Sequence, residues 1–201
     1  MQKSQNEVGK YRYGKRFFDL VFSSLLLFFL ALPMLAIALF VALTSRGGAI
    51  FRQTRIGRDG KPFVCYKFRT MYRDAPNNRP TRGFPDAAKF VTPIGRFLRR
   101  TSLDELPQLF NVLRGDMSLI GPRPLIGEEE EMHRLRRENG VYAVRPGITG
   151  LAQINGRDLL DDAEKAAFDA QYVRGFSLRQ DLQILGRTFK RVLSGNGIRT
   201  P

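Results

Sequence analysis

Two adjacent carboxylates, Asp104 and Glu105, stand in a run of cations, with Arg96, Arg99 and Arg100 before them and Arg114 and Arg123 after. Acids set among arginines suit a site that handles phosphate, because guanidiniums offset its charge while a carboxylate attacks or holds a cation. The scarce residues narrow the chemistry further. Cys65 is the single cysteine and His133 the single histidine. One cysteine leaves no internal disulfide and no Cys-based zinc site. His133 lies in E-E-E-E-M-H-R-L-R-R, which reads as a solvated helix face. A Ser-His or Cys-His machine is therefore not expected. Carboxylates, Arg/Lys and a hard metal ion remain as tools.

The acidic pair needs an element to hold it. Ser102 followed by Glu105 fits a capping box, and Leu106, Leu109, Phe110 and Leu113 continue as a helical stripe. A cap alone accounts for the acids, yet the same helix start can bind phosphate through its free N–H groups, so both readings stand. Gly121-Pro122-Arg123-Pro124 reads as a rigid turn presenting one guanidinium. Upstream, alternating segments 49–56 and 62–69 flank a turn at 57–61 and predict a hairpin. Lys67 and Arg69, two apart, share one strand face, either as a basic solvent surface or turned toward a site.

Residues 74–86 read as a surface loop that could close as a lid, and 128–138 as a charged surface helix. Segment 144–157 combines Arg145 and Arg157 with glycine turns, Gln153 and Asn155. It reads as an anion-binding loop or as a plain loop-strand-loop. Two helices follow, one over 162–174 closed by Gly175, the other starting at Ser177 with Gln180 as its capping partner. Leu178, Leu182, Leu185, Phe189 and Val192 share one face of the second, for a core or for a membrane surface.

The elements must also be placed relative to a membrane. The chain has 201 residues, with 33 Lys+Arg against 19 Asp+Glu and a net charge of +14. Such an excess implies a polyanionic partner: nucleic acid, an anionic membrane surface or phosphorylated substrates. Residues 20–45 contain no charge, longer than the ~20 residues that cross a bilayer. The run is too long for a signal peptide and no small-residue cleavage pattern follows it. Pro33 lies mid-run and predicts a kink. Both flanks are basic, with Lys3, Lys10, Arg12, Lys15 and Arg16 on one side and Arg46, Arg52, Arg55, Arg58 and Lys61 on the other. The positive-inside rule asks for the cytoplasmic face at both ends. A helix that enters, bends at Pro33 and returns satisfies both; a kinked spanning helix is the alternative. The expected division is a membrane segment over 1–46 and a catalytic domain over 47–201. No P-loop, dinucleotide fingerprint, zinc spacing or internal repeat occurs, and nucleic-acid binding gives no reason for Asp-Glu among arginines.

Four blocks together resemble the bacterial sugar transferase family, the monotopic phosphoglycosyl transferases in their minimal form. They are K-R-F-F-D (15–19), Y-K-F-R-T-M (66–71), residues 95–124, and V-R-P-G-I-T-G-L-A-Q-I-N-G-R (144–157). The resemblance implies a mainly helical α+β fold, with a Pro-kinked re-entrant membrane helix, a short β-hairpin and amphipathic helices on the membrane surface. It implies transfer of a phospho-sugar from a UDP-sugar to polyprenyl (undecaprenyl) phosphate, with release of UMP, at the cytoplasmic face of the bacterial inner membrane. That reaction would initiate a membrane-bound glycan. By position Asp104 matches the family's nucleophile, which takes up the phospho-sugar covalently. Glu105 matches its Mg²⁺-associated partner; Mg²⁺ prefers oxygen ligands, which Glu105 or Asp116 can supply. Lys67, Arg69, Arg99, Arg123 and Arg145 fall on phosphate- or nucleotide-binding positions, and Pro33 on the bend of the re-entrant helix. The expected partners are the UDP-sugar, polyprenyl phosphate and anionic lipids, without nucleic acid; a homodimer stays open. Leu32 departs from the serine common before that proline, leaving Pro33 as the main cause of the bend. The sugar is not named by any motif, with 74–90 and 158–162 as candidate selectivity segments.

Overall fold

The uncharged run lies inside one helix, α1 (Gln5–Thr44), of 40 residues, which continues unbroken through Pro33. Tyr11–Thr44 contains an 18-residue window of mean hydropathy 2.8 and is long and apolar enough to cross a bilayer. Its side chains are sorted against the usual rule. Lys15, Asp19 and Ser23 are buried together with Met34 and Val41, whereas Phe28 and Leu32 are 78% and 79% exposed. Tyr11, Phe18, Leu27, Leu30, Ile37 and Ala38 complete a stripe of three- and four-residue steps packed on the rest of the molecule. Polar side chains turned inward and aromatics turned outward are what a lipid-facing helix shows. The computed structural model describes residues 5–45, 47–76, 87–156 and 159–194, and α1 shares both of its larger core clusters.

At the polar end of the stripe Lys15 and Asp19 are both engaged. Lys15 Nζ lies 2.6 Å from Asp181 Oδ2, an oxygen that also accepts from the Tyr11 hydroxyl at 2.6 Å. Asp19 accepts from the Ser118 hydroxyl and the Leu119 amide. Arg16 reaches the Val112 and Leu113 carbonyls, and so caps a helix end in the body.

The expected hairpin forms from β1 (Ile50–Ile56) and β2 (Pro62–Phe68), antiparallel with Ile50 opposite Phe68 and Ile56 opposite Pro62. After α2 (Ala87–Phe90) comes α3 (Pro93–Thr101), capped by the Thr92 hydroxyl accepting from the Gly95 amide. Next are a one-turn 3-10 helix Leu103–Glu105 and α4 (Gln108–Arg114). Strand β3 (Ser118–Ile120) pairs in parallel with β4 (Gly147–Thr149), with α5 (Glu130–Glu138) between them in sequence. Then come α6 (Leu151–Asn155), α7 (Asp162–Arg174) and α8 (Leu178–Ser194). The mainly helical α+β class is as read from the sequence.

Three local expectations change. Ser102 does not cap a helix: it sits in the left-handed region at φ 58, closes α3 and makes no capping hydrogen bond with its side chain. Pro107, lacking an N–H, stands before α4, so the acids lie in a separate 3-10 turn. The Glu105 and Leu106 amides are spent on the Ser102 and Leu103 carbonyls rather than left for an anion. Second, His133 is buried rather than solvated. Its Nε2 donates to the Ile126 carbonyl at 2.8 Å, and Nδ1 meets the Tyr142 hydroxyl. Arg136, on the same helix, is buried against Asp169 at 2.6 Å. Third, the leucine face of α8 is not a core face. Leu178, Leu182, Leu185 and Phe189 are exposed, while Asp181 and Ile184 are buried and Thr188 bonds Thr149. The core reading fails because α8 docks through its polar residues and Ile184.

Candidate active site

Three elements converge on the acidic pair. Strand β2 supplies Lys67, the turn after β3 supplies Arg123, and the 3-10 turn supplies both acids. Glu105 Oε1 lies 2.8 Å from Lys67 Nζ and 2.9 Å from Arg123 Nη2. Asp104 is equally buried, at 7% exposure against 6%. Among the described residues, however, no hydrogen bond or ion pair holds the Asp104 carboxylate; Lys67, Arg123 and Arg99 reach it only through space. Burial raises its pKa above the ordinary carboxylate value and Glu105 adds to the rise, with those three cations opposing. Arg99 is held by its Nε donating to Thr70 Oγ1 at 2.9 Å; burial lowers its pKa and Asp104 opposes the shift.

The turn carrying Arg123 is fixed by backbone contact. A Cβ at Gly121 would stand 2.5 Å from the Arg145 carbonyl oxygen, and one at Gly150 2.1 Å from that of Gly121, so both must lack one. Behind Arg123 lies Arg55, whose Nη1 donates to the Pro124 carbonyl at 3.0 Å and whose Nε and Nη2 hold Gln53. Burial and the neighbouring Arg123 lower the pKa of Arg55. Strand β2 is pinned by buried Asn111, which accepts from the Tyr66 amide at 3.0 Å and donates to the Val64 carbonyl at 2.6 Å.

The structure thus brings Asp104, Glu105, Lys67, Arg99 and Arg123 together. Arg69 is on the Lys67 face, over the Phe51 ring, but its Nε donates to the Gly48 carbonyl. Arg145 donates to the Gly115 carbonyl, facing Arg58, Arg16 and Arg12 at the far end of α4. Asp116 is at that end too, bonded by Asn111 and 3.6 Å from Arg114. Arg157, residue 158 and loop residues 77–86 lie outside the described residues. Thr70, Asn111 and Arg55 were not singled out by sequence; a polar Asn111 within the apolar stripe of α4 was the available signal.

Among the described residues no group of three His, Cys, Asp or Glu forms a cage for a metal. The paired acids, one already neutralised by two cations, fit Mg²⁺ held by one or two carboxylates together with substrate phosphate oxygens. Glu105, beside Asp104, would be the residue to hold it.

Residues 10–195 match the family described as Bacterial sugar transferase. The undecaprenyl-phosphate galactose phosphotransferase of Salmonella typhimurium is 41% identical over 210 residues, covering 96% of this chain and 44% of that protein. The Escherichia coli UDP-glucose:undecaprenyl-phosphate glucose-1-phosphate transferase is 44% identical over 184 residues, covering 88% of this chain and 39% of that protein. The exopolysaccharide production protein ExoY of Sinorhizobium fredii is 39% identical over 200 residues, covering 92% of this chain and 87% of that protein. The chain therefore spans less than half the length of the first two relatives and most of the third.

Proposed function

The chain belongs to the bacterial sugar transferase family, and from that premise we propose that it moves a sugar 1-phosphate from a UDP-sugar to polyprenyl phosphate in two covalent steps. An Asp104 oxygen attacks the phosphorus bonded to the sugar. The P–O bond to the uridylyl phosphate breaks and UMP leaves with the bridging oxygen. A phosphate oxygen of the polyprenyl phosphate then attacks the same phosphorus, forming the diphosphate and returning Asp104 as a free carboxylate. The observation that carries this reading is the asymmetry of the acidic pair. Glu105 is clamped by Lys67 and Arg123, whereas Asp104 is close to three cations yet tied to none. A carboxylate ionised at neutral pH attacks without a base, which suits a site without histidine.

Lys67, Arg99 and Arg123 offset the charge of an incoming diphosphate, which Asp104 alone would repel. Mg²⁺ bound at Glu105 would add Lewis-acid polarisation of the phosphate oxygens. The packing of both halves of α1 on one body supports a helix that enters and leaves on the cytoplasmic face of the inner membrane. The exposed leucines of α8 supply a second apolar contact with that surface. Here the nucleotide sugar arrives from water and the acceptor from lipid. The product would begin assembly of a membrane-bound glycan such as an exopolysaccharide or O-antigen.

Incubation with a UDP-sugar and Mg²⁺ but no lipid is expected to release UMP and to leave a phospho-sugar adduct on Asp104, read by intact mass and peptide mapping. Turnover that needs lipid for any UMP release, with no adduct, would mean direct transfer in a ternary complex.

A further inference from the structure

A cleft of about 380 Å³ opens where α1, the hairpin and α4 meet. Its wall is apolar: Met34, next to Pro33 in the uncharged run, with Ile50, Pro107 and Phe110. Its polar groups are Arg52, Tyr66 and Arg114. This is not the site of the acidic pair. Tyr66 and Lys67 are consecutive in β2, so their side chains leave on opposite faces. Arg52 is directly across from Tyr66, and Phe51 from Lys67. The cleft therefore lies across the hairpin from the Lys67–Glu105 pair.

Its charge is unbalanced. Arg52 is exposed and, among the described residues, makes no hydrogen bond or ion pair. Arg114 Nη1 donates to the Tyr66 hydroxyl at 3.0 Å, and its acid, Asp116, stands 3.6 Å away, shared with Asn111. Two guanidiniums thus face one partly engaged carboxylate, at the mouth of an apolar slot walled by the membrane-type helix. A free phosphate has no use for Met34, Ile50 and Phe110, and a neutral lipid none for the arginines. Because the slot lies off the reacting face, a lipid seated in it is not positioned to accept the sugar phosphate.

We propose that this cleft binds one acidic phospholipid of the bilayer, its phosphate diester between Arg52 and Arg114 and an acyl chain along Met34, Ile50 and Phe110. The bound lipid would fix how the body sits against the membrane.

The test is native mass spectrometry of the full chain released from detergent micelles and titrated with phosphatidylglycerol. One retained lipid is expected, with phosphatidylcholine of the same chains binding on the order of tenfold more weakly. R52Q/R114Q is expected to remove that preference. F110S is expected to weaken both lipids, and exposed-site K61Q to change nothing. Equal retention of the two lipids, or unchanged preference in the double variant, would overturn the proposal. So would displacement of the phosphatidylglycerol by inorganic phosphate, which would mean a headgroup site alone. One-for-one displacement by polyprenyl phosphate would overturn it in favour of an acceptor groove.

Discussion

At the scale of the residue, the two acids are neighbours in sequence with different surroundings, and that difference yields two predictions. Asp104 is buried with its pKa raised, chiefly by burial. Its ionised form therefore weakens the fold once pH exceeds the ordinary carboxylate value, fully so above the raised one. The amide introduced by D104N carries no such charge. D104N is expected to lose on the order of 10³-fold or more in turnover. By thermal melts it should match the wild type in acid, where both side chains are neutral, and melt at or above it in alkali. A D104N melting temperature below that of the wild type at high pH would contradict the assignment. Lys67 is the strongest influence holding that pKa down. K67M should lower kcat by roughly 10²-fold, the scale of losing one charge-stabilising group. It should also move the acid limb of the pH–rate profile upward, because Asp104 then ionises only at higher pH. A fall in kcat with the limb unmoved would show that Lys67 acts on substrate alone.

At the scale of the element, the site depends on a strand held from its open edge. Asn111 satisfies the Tyr66 amide and Val64 carbonyl of β2, two groups that no other described strand pairs on that side. N111L leaves both without partners in a buried place, at about 1–3 kcal/mol each. A urea midpoint lowered accordingly, together with a rise in KM as Lys67 shifts, is the expected result; a change in stability alone would confine Asn111 to the fold. The sequence made the hairpin, the bounds of its strands to within one residue, and helix 162–174 legible, because alternation, turn residues and capping are local signals. That Asp104, Glu105, Lys67, Arg99 and Arg123 would stand together was legible through the resemblance. The placement of Arg145 and Asp116 at the far end of α4 was not, since that depends on which way α4 runs between two loops. The capping box at Ser102 misled for a related reason. Its spacing is correct, but Pro107 delays the start of α4 to Gln108, and tertiary packing sets Ser102 in the left-handed region. For the leucines of α8 the sequence left a core and a membrane surface both open, because an apolar face does not say which it seeks. Here Asp181 docks and the leucines face outward.

At the scale of the whole molecule, what matters is that one body grips α1 near both ends. Near its start, Arg12 donates to the Ala143 carbonyl at 2.9 Å and Lys15 pairs with Asp181 at 2.6 Å. In its later part, Met34 and Val41 pack with Phe68 and Leu98. The body between those grips carries exposed Arg, Glu and Lys side chains, and such a surface does not straddle a hydrocarbon layer ~30 Å thick. Both ends of α1 are therefore expected on one side of the membrane. Its outward Phe28, Phe29 and Leu32 are then expected to enter the lipid. The test uses single cysteines in a Cys65→Ala background, one replacing Tyr13, which is 83% exposed, the other replacing exposed Lys61. In sealed spheroplasts an impermeant maleimide is expected to label neither, and after permeabilisation to label both. Labelling of either one from outside would place the flanks of α1 on opposite faces. The grips seen at its two ends would then have to open in the membrane.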